Sequence, residues 1–94
     1  MVVATLLEFP SVTQEQYERV GASLSRAGPP LGILYHACGP VEGGWRIMDI
    51  WESQEAFDRF VDEAYIPAIQ AQGGLAPSRR EVVPAYHAGP VQQT

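Results

Sequence analysis

A chain of 94 residues has room for one hydrophobic core and no second domain. With 46% apolar and 18% charged residues it is no disordered segment, and a formal charge of -5 argues against nucleic acid or an anionic membrane as partner. The single cysteine, Cys38, excludes an intrachain disulfide and a cysteine-rich metal site.

Val2 to Phe9 is apolar and rich in β-branched residues, which predicts a buried first strand closed by Pro10. The run from Met1 to Leu7 has no basic lead-in and stops at Glu8, too short for a secretory or membrane segment, so a cytoplasmic protein is expected. Thr13 with Gln16 has the form of a capping box. Tyr17, Val20, Gly21 and Leu24 then recur at helical spacing until Gly28-Pro29-Pro30, predicting a first helix with Tyr17 in the core. Ile33 to Cys38 and Trp45 to Glu52 are two strands joined by the short, glycine-rich Pro40–Gly44 connection of a hairpin. Ser53 caps a second helix with an apolar stripe of Phe57, Phe60, Val61 and Ala64, an outer Glu55–Arg59 pair, and an end or kink at Pro67. Tyr65 is expected in the core with that stripe. Gln70 to Arg79 is a loop, and Glu81 to Tyr86 a fourth strand that Pro84 confines to a sheet edge. The tail from Gly89 to Thr94 is expected to be loose, leaving residues 1–88 as a single domain.

The order β-α-β-β-α-β predicts an α+β, ferredoxin-like domain: a four-stranded antiparallel sheet in the order 4-1-3-2 with both helices on one face. A two-residue turn at Glu42-Gly43, or a four-residue loop from Val41 to Gly44, pairs position i with 85 minus i. His36 then stands opposite Asp49, Cys38 opposite Ile47 and Leu34 opposite Trp51, on one face with Trp45. Tyr35, Ala37, Met48 and Ile50 occupy the other, a small apolar set suited to lying under the helices. Two helices cover one face only, so the Trp45, Ile47 and Trp51 face is expected to meet a second copy of the chain and to form a homodimer. A cavity between two such facing sheets would join dimerisation and chemistry on one surface.

His36 and Asp49 are the candidate catalytic residues. A carboxylate on one ring nitrogen fixes the imidazole tautomer and raises its basicity, leaving the other nitrogen to take a substrate proton. Trp51, Leu34, Cys38, Ile47 and Trp45 are the candidate substrate-binding residues, with Trp51 as an aromatic wall. The competing reading has His36 and Asp49 merely satisfying each other in a dimer interface. No metal site is expected: His36 and His87 could meet only across subunits, and neither spacing suits zinc or iron. Arg46 could anchor an anion, although a strand arginine at the sheet margin is more often solvated.

The stretch Gly44-Trp45-Arg46-Ile47-Met48-Asp49-Ile50-Trp51-Glu52-Ser53-Gln54-Glu55-Ala56-Phe57 resembles the antibiotic biosynthesis monooxygenases, whose strand ends in Trp-Glu before a helix opening on an acidic, a small and an aromatic residue. Gly32-Ile33-Leu34-Tyr35-His36 and Cys38-Gly39-Pro40 are also similar to short actinobacterial proteins of unassigned function. The resemblance spans nearly the whole chain and implies a dimeric α/β barrel with a pocket between sheet and helices or between the two sheets. It implies Trp51 as the pocket tryptophan of cofactor-independent oxygenases that act on polycyclic phenols with molecular oxygen, and so no cofactor. Those enzymes also use an asparagine, and this chain has none. Haem-degrading relatives carry a histidine on the second helix; here there is none. Two functions stand side by side: an enzyme acting on an aromatic or polyketide-like molecule by general base chemistry or cofactor-independent oxygenation, and a binding or assembly module without turnover.

Overall fold

A computed structural model describes residues 1–91. Part of the expected loose tail, residues 92–94, lies outside the described residues. Chain order gives β1 (Val3–Pro10), α1 (Gln14–Ser25), β2 (Ile33–Val41), β3 (Gly44–Trp51), α2 (Gln54–Phe60), α3 (Ile66–Ala71) and β4 (Arg79–Pro84), with a π-helical stretch over Val61–Tyr65 between α2 and α3. The four antiparallel strands lie in the order β2-β3-β1-β4, the ferredoxin-like arrangement, and Pro84 falls on the edge strand as its missing N–H demands.

Local sequence accounts for the helix starts. Thr13 Oγ1 accepts from the Gln16 N–H while the Gln16 side chain accepts from the Thr13 N–H, each at 3.2 Å, which closes the capping box. Ser53 Oγ accepts from the Ala56 N–H at 3.1 Å. The second helix does not end at Pro67. The Ile66 N–H reaches back five residues to the Val61 carbonyl, a π-type bond that widens the turn just before the proline and lets helical backbone continue to Ala71.

The hairpin takes the two-residue turn. Gly43 sits at φ 78°, where a side chain would be strained, and Val41 pairs with Gly44. His36 is therefore opposite Asp49 and Cys38 opposite Ile47, as the register predicts. At the far end the register shifts between Ile33 and Tyr35, so Ile33, and not Leu34, pairs with Trp51. Leu34 is consequently 48% exposed and stands away from the site expected for it. A bulge adds one residue to its strand, which alternation alone does not reveal. Gly32 just before the strand is required for close approach: at φ 92° a Cβ there would lie 2.8 Å from the Ala56 Cβ.

The assignment of the two faces is the reverse of the expected one. Val3, Leu7 and Phe9 of β1 and Trp45, Ile47 and Trp51 of β3 are buried in the core with Val20, Phe57, Val61, Tyr65 and Ile69 of the helical layer. The helices thus cover the face that carries Asp49 and the tryptophans. The opposite face is the uncovered one, with Tyr35 55%, Met48 46% and Val83 57% exposed. Volume explains the choice: a helical layer over a small sheet needs large side chains to fill the gap, and the parity holding Phe9, Trp45, Ile47 and Trp51 supplies more of them than Ala4, Ala37, Met48 and Ile50 do. On the helix side Arg80 of β4 bonds Asp58 and Asp62, each at 2.8 Å, and lies over the Phe57 ring, tying the edge strand to the second helix.

Candidate functional site

Between the sheet and its helices lies a cavity of about 700 Å³, lined mostly by apolar side chains from β1, α1, β2, β3 and the second helix. Gly21 hollows out α1 one turn after Tyr17, and the connection Ala27 to Leu31 forms one margin of the space. His36 and Asp49 stand on its wall together with Trp51 and Ile47. Cys38, Trp45 and Leu34 do not line it. A cavity thus lies between sheet and helices, on the covered face; a more open one on the uncovered face, among Leu6, Tyr35, Met48 and Val83, is also bordered by His36 and Asp49.

His36 Nδ1 lies 2.7 Å from Asp49 Oδ1. The Asp49 carboxyl is buried at the centre of the sheet, whereas the His36 side chain on the edge strand is 44% exposed. Burial pushes the Asp49 carboxyl above its ordinary value against the opposing pull of His36, with the Ala37 backbone acting in the same lowering direction. With Asp49 ionised, the Nδ1–H donates to it and Nε2 is left as the acceptor. Thr5, also buried, steadies the strand pair by donating from Oγ1 to the Asp49 carbonyl at 3.4 Å.

Nε2 is not free, contrary to the expectation for a simple base. The Tyr17 hydroxyl lies 2.7 Å from it, donating in the tautomer just described. Tyr17 comes from α1, stacks on Trp45 at 4.9 Å between centroids and lies nearly parallel to the imidazole. Burial first, then the adjacent Cys38 thiol and the Asp49 charge, raise the Tyr17 phenol well above its ordinary value, so it stays protonated at neutral pH. Burial raises Tyr65 likewise. Tyr17 and Tyr65 are cavity residues that a core assignment from helical spacing overlooks. The available signal was Gly21 at i+4 from Tyr17, a missing side chain on a stripe that otherwise packs the sheet.

The Trp51 indole is fully buried, and its Nε1–H has no hydrogen-bond acceptor; Trp45 Nε1 is in the same condition. Among the described residues lining the cavity there is no Lys or Arg. Arg46 is on the other face, where its guanidinium bonds Glu8 through Nε at 2.8 Å and Nη2 at 2.6 Å, so it is engaged with a neighbouring strand instead of a ligand. Among the described residues no group of three or more His, Cys, Asp or Glu side chains is arranged to hold a metal ion, and no helix is long and apolar enough to cross a membrane.

No protein-family model matches this sequence, and no curated protein matches it. Solved structures do. A protein named provisionally as an antibiotic biosynthesis monooxygenase, from Chloroflexus aurantiacus J-10-fl, superposes with a TM-score of 0.62 at 14% identity, over 95% of this chain and 98% of its own. The fold is that of the antibiotic biosynthesis monooxygenases. SnoaB, a cofactor-independent oxygenase from Streptomyces nogalater, gives 0.61 at 16% identity over 96% and 97%. A dimeric ferredoxin-like protein of unknown function from Thermobifida fusca YX gives 0.53 at 21% identity over 88% of each chain. At these identities the likeness concerns the fold, which hosts unrelated chemistries.

Proposed function

We propose that this protein is a cytoplasmic enzyme that takes a small aromatic or polyketide-like molecule into the cavity between sheet and helices and acts on it by proton transfer. The observation that carries the reading is the His36–Asp49 pair, bonded at 2.7 Å on the wall of an apolar cavity large enough for such a ligand. In it the His36 imidazole supplies basicity, Asp49 fixes its tautomer, and Trp51 and Ile47 form the wall on which the ligand rests. Proton abstraction suffices for a cyclisation or isomerisation. The same step, by making an electron-rich carbanion or phenolate, also prepares a substrate to react with molecular oxygen without a cofactor, the activity named for SnoaB.

The protein works as a homodimer in this reading, through the uncovered face of Leu6, Tyr35, Met48, Ile50 and Val83. One observation favours the alternative of a binding module without turnover: Tyr17 occupies the second nitrogen of His36, so the pair is internally satisfied.

The test compares wild type with His36→Ala and Asp49→Asn on hydroxylated polycyclic aromatics and their ketone tautomers, with and without oxygen. The enzyme reading expects turnover to fall by about 10²- to 10⁴-fold in the histidine variant, the usual contribution of a general base. Ligands that bind to wild type and are recovered unchanged under every condition would establish the module instead.

A further inference from the structure

Both ring nitrogens of His36 are engaged within the protein, Nδ1 by Asp49 and Nε2 by Tyr17, each at 2.7 Å. A proton from a cavity ligand therefore reaches the imidazole either by displacing Tyr17 or by passing through its oxygen. Displacement is disfavoured by packing. Tyr17 is held on a regular helix, with its ring stacked on the buried Trp45. Its hydroxyl oxygen, after donating to Nε2, retains lone pairs, and Tyr17 itself lines the cavity.

Resting on the proton-transfer reading above, we infer that Tyr17 is the catalytic residue that meets the substrate, and that His36 and Asp49 act through it. The Tyr17 oxygen accepts a proton from the substrate's C–H or O–H as its own proton moves to His36 Nε2. The bond electrons stay on the substrate as an enolate or phenolate, whose negative charge balances the imidazolium formed, and Asp49 stays ionised beside the imidazolium throughout. Return of the proton to another atom by the reverse path completes an isomerisation with no net change in the protein. The phenol takes part as a relay and is never a free phenolate, which accords with its burial. The other tyrosine of the cavity, Tyr65, packs its ring against Phe9 and Phe60, and serves as wall.

The probe is 5-nitrobenzisoxazole, a flat aromatic whose ring opening needs only the loss of one carbon-bound proton. The C–H electron pair becomes part of the nitrile as the N–O bond breaks, leaving a coloured phenolate. Wild type, Tyr17→Phe, His36→Ala and, as a control away from the cavity, Tyr86→Phe at an exposed position after β4 are compared, with folding checked by near-ultraviolet circular dichroism. The phenylalanine variant keeps the stack on Trp45 and removes one oxygen. The relay expects kcat to fall about 100-fold in both Tyr17→Phe and His36→Ala, with KM within about twofold of the parent and Tyr86→Phe at the parental rate. If Tyr17→Phe keeps or exceeds the parental kcat while His36→Ala is inactive, the relay is overturned and His36 is the direct base. A wild-type rate no faster than buffer overturns the relay and the proton-transfer reading together.

Discussion

The two faces of the β2–β3 hairpin are built from neighbouring residues and have opposite fates. His36, Asp49 and Trp51 point under the helices, while Tyr35, Met48 and Ile50, one position away in each case, point out of the sheet. The inner set surrounds a cavity and includes a buried carboxyl, a bonded imidazole and an indole N–H without an acceptor. The outer set is apolar, half exposed and without acid–base partners at its centre; its charges are gathered towards one end, where Arg46 and Arg79 both pair with Glu8. A single residue of register separates a cavity-lining surface that holds an acid–base pair from an exposed apolar one. In the proposed function the division frees each surface from the other's demands: an interface need not stay open, and a pocket need not be flat.

The largest effects should come from the inner face. Trp51 is fully buried between Phe57 and Phe60, so Trp51→Ala is expected to cost about 3–5 kcal/mol, measured by urea unfolding, with the lost volume adding to a cavity already present. Ile50→Ala, one residue along, should cost well under half as much in the isolated protomer. Equal losses would mean that the two faces are packed alike. On the outer face, Met48→Arg is expected to leave the fold intact and to convert the proposed dimer to a monomer, read as a halving of mass by light scattering. Ligand binding in the cavity should survive that change. A monomeric variant that no longer binds would mean that the partner completes the pocket, and the separation of the two surfaces would fail. Gly32→Ala should be milder than the loss of Trp51, about 1–3 kcal/mol, because the added methyl meets Ala56 and the backbone is left-handed there.

What the sequence disclosed and what it hid have separable causes. Turn length sets register, so the His36–Asp49 pairing was legible from Glu42-Gly43 alone, and the capping residues Thr13 and Ser53 marked both helix starts. The choice of face was not legible from alternation, since both parities of the hairpin are apolar. It needed the volumes of β1 and β3 taken together. The shift at Leu34 and the passage of helix through Pro67 are irregularities that depend on tertiary packing, one as an extra strand residue and the other as a π turn. Tyr17 was hidden for a further reason: its contact with His36 joins a helix to a strand across 19 residues, and helical spacing shows only that a side chain faces the sheet, not that it stops short of closing it.

The smallest effect is the most direct measure of how different the faces are electrostatically. Burial raises the Asp49 carboxyl above 3.8, so between that value and its folded pKa the native state holds a proton that the unfolded chain has released. Stability must therefore fall as pH rises through this window, the reverse of the behaviour of Glu8, whose carboxyl is held low first by its bond to Arg46 and gains stability for the fold as pH rises from below. Asp49→Asn removes the first contribution and leaves the second. The difference in unfolding free energy between wild type and this variant should change in the variant's favour as pH increases from about 3.8, and level off once Asp49 is ionised in both states. A difference that is flat with pH would mean that His36 compensates burial fully and that the inner face holds its carboxylate no less readily than water does, and a difference moving in the wild type's favour would mean that it holds it as the outer face holds Glu8.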